Sequence, residues 1–280
     1  MNSRFSLLPP VLEVNDLSLT IQGHTLVNDI NFSLSAGERV CLIGASGSGK
    51  SLTARAISGV LPWYCQRSGT IKVNGQEVSH KPVLARPSTA RVATIFQDSF
   101  SALNPLMPVG KQLALSVNAG SQHALYQLLE QMELDNIEQM MNRLPSELSG
   151  GQRQRICIAF ALLSGANILI ADEPTTALDV INQQQVVKLL KQCSGHHCSH
   201  NEQLHGNPLA LLFITHDISV AAQLCERALV MENGRIVESA TMAQLLSAPQ
   251  HPYTQQLVHA AYQTNSARVT QPPFQNVANG

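Results

Sequence analysis

The chain has 280 residues, 44% of them hydrophobic, with 18 basic against 19 acidic side chains. That length and apolar share supply a core for one large domain or two ordinary ones without disulfide staples. The balanced charge leaves no broad basic field to gather nucleic acid and no acidic tail for a basic partner.

The opening MNSRFSLLPPV lacks a charged region followed by a sustained apolar run and a cleavage site, so no secretory signal is expected. A cytoplasmic location with reduced cysteines is expected instead. Arg39 to Ile43 is a short apolar run that predicts a strand. Gly44, Ala45, Ser46, Gly47, Ser48, Gly49, Lys50 and Ser51 follow it, and Leu52, Ala56, Gly59 and Val60 then recur at helical spacing. Strand, glycine-rich turn and helix form the context that a phosphate-binding loop requires. Backbone N–H groups of such a loop turn inward around a triphosphate at the positive end of the helix dipole. Lys50 is expected to reach the β- and γ-phosphates, and the Ser51 hydroxyl to bind Mg²⁺.

Residues from about 100 to 160 have a different texture and predict a mostly helical insertion. Leu125, Leu128, Leu129 and Met132 repeat at helical spacing, as do Ile156, Ala159, Phe160 and Leu163. The second of these helices opens on LSGGQ, whose Ser149, Gly150, Gly151 and Gln152 would cap any helix. The longest apolar stretch, Ile156 to Ala171, is interrupted by Ser164, Gly165 and Asn167 and falls short of the ~20 residues of a membrane span. NILIADEP from Asn167 and LALLFITHD from Leu209 read as strands of a parallel sheet, buried on both faces. Ligands of such sheets gather at the strands' carboxyl ends, where Gly44 to Ser51, Asp172, Glu173 and His216 fall. Asp172 is placed to hold Mg²⁺ through water, and Glu173 to polarise an attacking water as general base.

Positions 193 to 205 read CSGHHCSHNEQLH. Cys193, His196, His197, Cys198 and His200 carry soft ligands that suit Zn²⁺, Ni²⁺ or Cu⁺. The cysteines stand four residues apart, however, and the histidines follow no zinc-finger spacing. The segment is therefore either a solvated polar loop or a low-affinity transition-metal site. Cys41, Cys157 and Cys225 sit in apolar runs and are expected in the core. Asn233 and Gly234 suit a type I′ turn between two strands. After about 264 the chain turns rich in Gln, Pro, Asn and Ser and is expected to fray.

LSGGQ is the signature of ATP-binding-cassette (ABC) ATPases, and Gln97 in IFQD, Asp179 in ALD and His216 in ITHD stand around it in that family's order. On these motifs the chain resembles an ABC ATPase from about 11 to 260. The resemblance implies an α/β P-loop NTPase: a RecA-like, mostly parallel sheet with an N-terminal antiparallel β subdomain and an inserted α-helical subdomain. It implies a nucleotide-binding domain over 11–240, with the helical part at about 100–160, and a C-terminal extension over 241–280 carrying the HPYT motif and a frayed tail. It further implies a head-to-tail dimer, with itself or a second related ATPase. In that dimer Mg²⁺ and ATP are closed between the phosphate loop of one subunit and Ser149, Gly150, Gly151 and Gln152 of the other. Gln97 would contact Mg²⁺ or the attacking water and report to a membrane partner, His216 would contact the γ-phosphate, and Asp179 would link the two sites. One departure stands out: family members stack adenine on an aromatic near 21 to 24, where this chain offers only Ile21 or His24.

FQDSFSALNP after the IFQ motif and PQHPYTQQLV at 249 to 258 resemble the ATPase subunits of dipeptide, oligopeptide and nickel importers. No cysteine follows Cys225, which inclines the resemblance toward a nickel or metal-chelate importer. The implied role is ATP hydrolysis at the cytoplasmic face of the inner membrane. It would energise two integral membrane permease subunits fed by a periplasmic or surface solute-binding protein. The alternative is the same role for dipeptides or oligopeptides. A remoter one, a non-transport ABC ATPase acting on nucleic acid, lacks the long coiled-coil insertion or tandem cassette common in such chains.

Overall fold

The computed structural model describes residues 10–96, 102–116, 122–132, 134, 136–176, 178–195 and 208–269. β1 (Pro10–Ile21) and β2 (His24–Ser35) pair antiparallel through a turn at Gln22 and Gly23, both at positive φ. β3 (Arg39–Ile43) and α1 (Lys50–Ser58) follow. β4 (Gln66–Val73) then pairs with β1, and the short β5 (Gln76–Glu77) with β4, across Asn74 and Gly75 at φ 49° and 73°. Left-handed pairs of this kind match the strand twist of two-residue hairpins. The four strands form one antiparallel sheet in the order β2-β1-β4-β5.

The second sheet takes β6 (Ala93–Ile95), β7 (Ile168–Asp172), β8 (Ala210–Thr215), β9 (Arg227–Glu232) and β10 (Arg235–Thr241) in the order β10-β9-β3-β8-β7-β6. Its pairings are parallel except for β9 with β10, which turn at Asn233 and Gly234 as predicted. The central strands read as unbroken apolar runs because alternate residues enter different cores. Val40, Leu42, Ile168, Ile170, Leu212 and Ile214 pack toward the antiparallel sheet and α1. Cys41, Ile43, Leu169, Ala171, Leu211 and Phe213 pack toward the helices on the other face. Full burial of such aliphatic side chains contributes about 1.5–3 kcal/mol each.

Those helices are α2 (Val109–Ser116), α3 (Gln122–Gln131), α4 (Ile137–Met141), α5 (Gly150–Leu163), α6 (Val180–Cys193), α7 (Ile218–Leu224), α8 (Met242–Ser247) and α9 (Pro252–Val269). The first four make up the expected helical insertion, with α5 running on to Leu163. Leu125, Leu128, Leu129, Met132, Ile156, Ala159 and Leu163 are buried as their spacing predicts, and Phe160 is half-buried. Cys41, Cys157 and Cys225 are core residues. Among the described residues, no helix is long and apolar enough to cross a membrane.

Three expectations shift. α1 stops at Ser58, because Gly59 takes a left-handed C-cap conformation at φ 76° that turns the chain out of the helix. Val60 is consequently outside the helix and exposed. Helix α9 runs to Val269, past the expected start of fraying at 264, since TNSARV contains neither proline nor glycine to break it, and the rest of that tail, 270–280, lies outside the described residues. Cys193 is no loop residue: it closes α6 and is buried in the larger core, which removes its thiol from a solvent-facing ligand set.

Candidate active site

The carboxyl ends of β3, β7 and β8 bring the first group of predicted residues together. Gly44 to Gly49 form the turn from β3 into α1, and Lys50 is the helix's first residue. Gly44 has no substitute, since a Cβ there would lie 2.1 Å from the Met231 carbonyl oxygen of β9. Lys50 is buried, and its ammonium donates to the carbonyls of Gly44 at 2.9 Å and Ala45 at 2.8 Å. Burial lowers its pKa, while the negative field of Glu173 and Asp172 opposes that shift. A cavity of about 330 Å³ lies against the loop, lined by Leu26, Ser46, Gly47, Gly49, Lys50, Ser51, Leu52 and Glu173.

Asp172 is the last residue of β7 and accepts a hydrogen bond from Ser51 Oγ at 3.1 Å. Burial raises its carboxyl pKa, and the Ser51 bond works the other way. A hydroxyl beside a carboxylate, next to a buried ammonium, is a donor set that fits a hard divalent cation with a polyanion. Glu173 follows in a left-handed conformation, φ 46°, which costs on the order of 1–3 kcal/mol for a non-glycine residue. Three contacts hold it: its amide donates to the Ile214 carbonyl at 2.9 Å, Thr176 Oγ1 donates to its Oε2 at 2.9 Å, and His216 Nδ1 lies 3.4 Å from Oε1. His216 itself is half exposed, and the residue after it, Asp217, caps α7 through the amides of Ser219 and Val220.

A second group lies at the starts of α5 and α6. Ser149 and Gln152 form a capping box, the Gln152 amide donating to Ser149 Oγ at 3.2 Å and the Ser149 amide to Gln152 Oε1 at 3.0 Å. Asp179 caps α6, accepting from the Asn182 amide at 2.9 Å and its Nδ2 at 2.6 Å, and these bonds hold its pKa down. Asn182 Oδ1 in turn accepts from Arg155 of α5 at 2.9 Å. It also approaches so closely that a Cβ on Gly151 would lie 2.7 Å from it. Ser149 and Gln152 are thus bonded to each other, Asp179 to Asn182, and Asn182 leaves no room for a side chain at Gly151.

Gln97, His196, His197, Cys198 and His200 lie outside the described residues. Ile21 and His24 sit at the tip of the β1–β2 hairpin, where His24 Nδ1 contacts the Gln22 carbonyl. Two residues escaped sequence reasoning. Asn182 carries no motif, although its place three residues after the capping Asp179 was a usable signal. Tyr253 donates nothing to the loop but accepts from the Ala45 amide at 2.6 Å, a contact across 208 residues that no local pattern announces.

Residues 27–176 match the family model described as ABC transporter. The chain belongs to the ABC transporter family. With that membership comes the activity: the chain is an ATPase. It is 40% identical over 269 residues to a probable D,D-dipeptide transport ATP-binding protein of Escherichia coli (strain K12), covering 90% of this chain and 78% of that protein. An oligopeptide transport ATP-binding protein of Salmonella typhimurium is 39% identical over 269 residues, with 91% and 77% covered. Among solved structures, an ATP binding subunit of an ABC transporter superposes with a TM-score of 0.69 at 23% identity, covering 93% of this chain and all of that one. At that identity the likeness bears on the fold, and it agrees with the P-loop architecture expected from the motifs.

Proposed function

We propose that the chain is the ATP-hydrolysing subunit of an importer for dipeptides or oligopeptides, peripheral to the cytoplasmic face of the inner membrane. The observation that carries the chemistry is the convergence of Lys50, Ser51, Asp172, Glu173 and His216 at one sheet end. The cargo reading rests on the relatives named for D,D-dipeptide and oligopeptide transport, which match across 90% and 91% of the chain. Those names favour peptide over the nickel or metal chelate that the missing C-terminal cysteines suggested, and over a nucleic-acid role.

In this reading Gly44 to Ser51 wrap the triphosphate of ATP, and Lys50 exchanges its loop carbonyls for phosphate oxygens. Ser51 and Asp172 would hold Mg²⁺, with Gln97 assigned to the same ion or the attacking water from its motif alone. Mg²⁺ held there would supply positive charge to offset that of the phosphate oxygens. Glu173 accepts a proton from the attacking water, and the His216 ring and Thr176 hydroxyl keep its carboxylate aimed. Leu26, 43% exposed and lining the cavity, offers apolar surface for the base in place of the absent aromatic. A second copy, or a related ATPase, presents Ser149 to Gln152 and Asp179 across the dimer, where capped helix starts offer donors to the terminal phosphate. Closure and opening of that dimer drive two permease subunits, supplied by a solute-binding protein.

Reconstitution with the permease pair in liposomes tests the proposal. ATP-dependent uptake of a radiolabelled dipeptide or oligopeptide is expected; uptake of radiolabelled nickel with no peptide uptake would refute the cargo.

A further inference from the structure

The phosphate loop is supported from two sides. On one, the β9–β10 hairpin touches it: the Gly234 amide donates to the Ser48 carbonyl at 3.1 Å, and the Met231 carbonyl presses on Gly44. On the other stands Tyr253, in the first turn of α9, whose hydroxyl accepts the Ala45 N–H. Ala45 is exposed, so its amide has water available and needs no tyrosine to be satisfied. The bond therefore fixes direction rather than relieving an orphaned donor. The carbonyl of the same residue accepts from the Lys50 ammonium at 2.8 Å and from the Ser48 amide at 3.2 Å. Tyr253 thus holds the residue on which the loop's own lysine rests.

The tyrosine is itself held firmly. Glu238 of β10 accepts the amides of Gln250 at 3.0 Å and His251 at 2.9 Å, and the Tyr253 amide donates to His251 Nδ1 at 3.3 Å. Thr254 and Val258, farther along the same helix, are buried. The PQHPYT segment is thereby bonded to the hairpin through Glu238, and the Tyr253 hydroxyl links it to the loop.

We infer that Tyr253 is a positioning residue for the nucleotide site, through which the C-terminal segment sets the shape of the phosphate loop and hence its affinity. The inference rests on the ATPase reading above. Tyr253→Phe keeps the ring and removes the hydroxyl that accepts the Ala45 N–H. In the full-length chain, the dissociation constant for Mg-ATP should rise about two- to tenfold, the size of one net hydrogen bond. Turnover at saturating ATP should stay within about twofold, and hydrogen exchange at the Ala45 amide should accelerate. Tyr262→Phe, farther along the same helix, should change none of these. An unchanged dissociation constant, an unchanged Ala45 exchange rate, or an equal effect from Tyr262→Phe overturns the inference. Failure of the unmodified chain to bind Mg-ATP would instead overturn the ATPase reading.

Discussion

The two ends of the six-stranded sheet treat charge in opposite ways. At the amino ends, Arg39 of β3 pairs with Glu226, and Arg227 of β9 pairs with Glu38 at 2.7 Å. Arg39 adds a bond to the Lys191 carbonyl, and Arg227 one to the Ser33 carbonyl at 2.6 Å. Each charge there meets its opposite and ties a strand to its neighbours. At the carboxyl ends, Lys50 rests on carbonyls, Asp172 is buried against a hydroxyl, and Glu173 sits in a strained backbone conformation. The lysine at that end meets carbonyls instead of either carboxylate, and the ring beside Glu173 is a histidine and not an arginine, which is the arrangement expected where a ligand is to complete the neutralisation. One end stabilises the fold and the other is poised for chemistry.

Substitutions at the two ends should therefore separate activity from stability. The largest effect is expected from Glu173→Gln: phosphate release should fall by about 10² to 10⁴. Mg-ATP binding, measured by titration, should stay within a few-fold. Gly151→Ala comes next, because the added methyl displaces Asn182 from its bonds to Asp179 and Arg155. Turnover should drop about tenfold to a hundredfold, as misplacements near 1 Å do, with binding to the isolated chain unchanged. A loss of binding instead would show that the second group serves its own chain's loop.

A smaller effect follows from pH. Burial raises the Asp172 pKa, so its carboxylate is lost on acidification at a pH above the ordinary aspartate value of about 3.9. The acid limb of kcat/KM should lie in that raised range and move to lower pH as Mg²⁺ is increased, because cation and proton compete for the same oxygens. A limb indifferent to Mg²⁺ would detach Asp172 from the metal. The smallest effect on activity belongs to the other end: Glu38→Gln should cost about 1.5–3 kcal/mol in denaturant titrations, the worth of a charged hydrogen bond, and leave kcat/KM of the folded fraction unchanged. A drop in kcat/KM would mean that the two ends are coupled.

The same division explains what could be read from residues alone. The central strands and the phosphate loop are local: their apolar runs, glycines and helix start lie within a few positions of one another. The antiparallel sheet came only through family resemblance, because β1 bulges between Val14 and Leu17, with Asp16 at φ 51°, so its buried Leu12, Val14, Leu17 and Leu19 break period two. Its Asn74–Gly75 turn carried a hairpin signal as good as that at Asn233–Gly234. The Tyr253 contact with Ala45 and the Asn182 contact with Arg155 join distant segments, and periodicity holds no trace of those. Cys193, by contrast, continues the buried stripe of Val186, Leu189 and Leu190 at helical spacing, a signal that its polar neighbours masked.

A structure of the Glu173→Gln chain determined with Mg-ATP tests the central claim most directly. The triphosphate should lie in the Gly44–Ser51 loop, with Lys50 turned from its carbonyls onto phosphate oxygens and the cation between Ser51 and Asp172. Nucleotide bound elsewhere, or a loop left empty at saturating Mg-ATP, would contradict it.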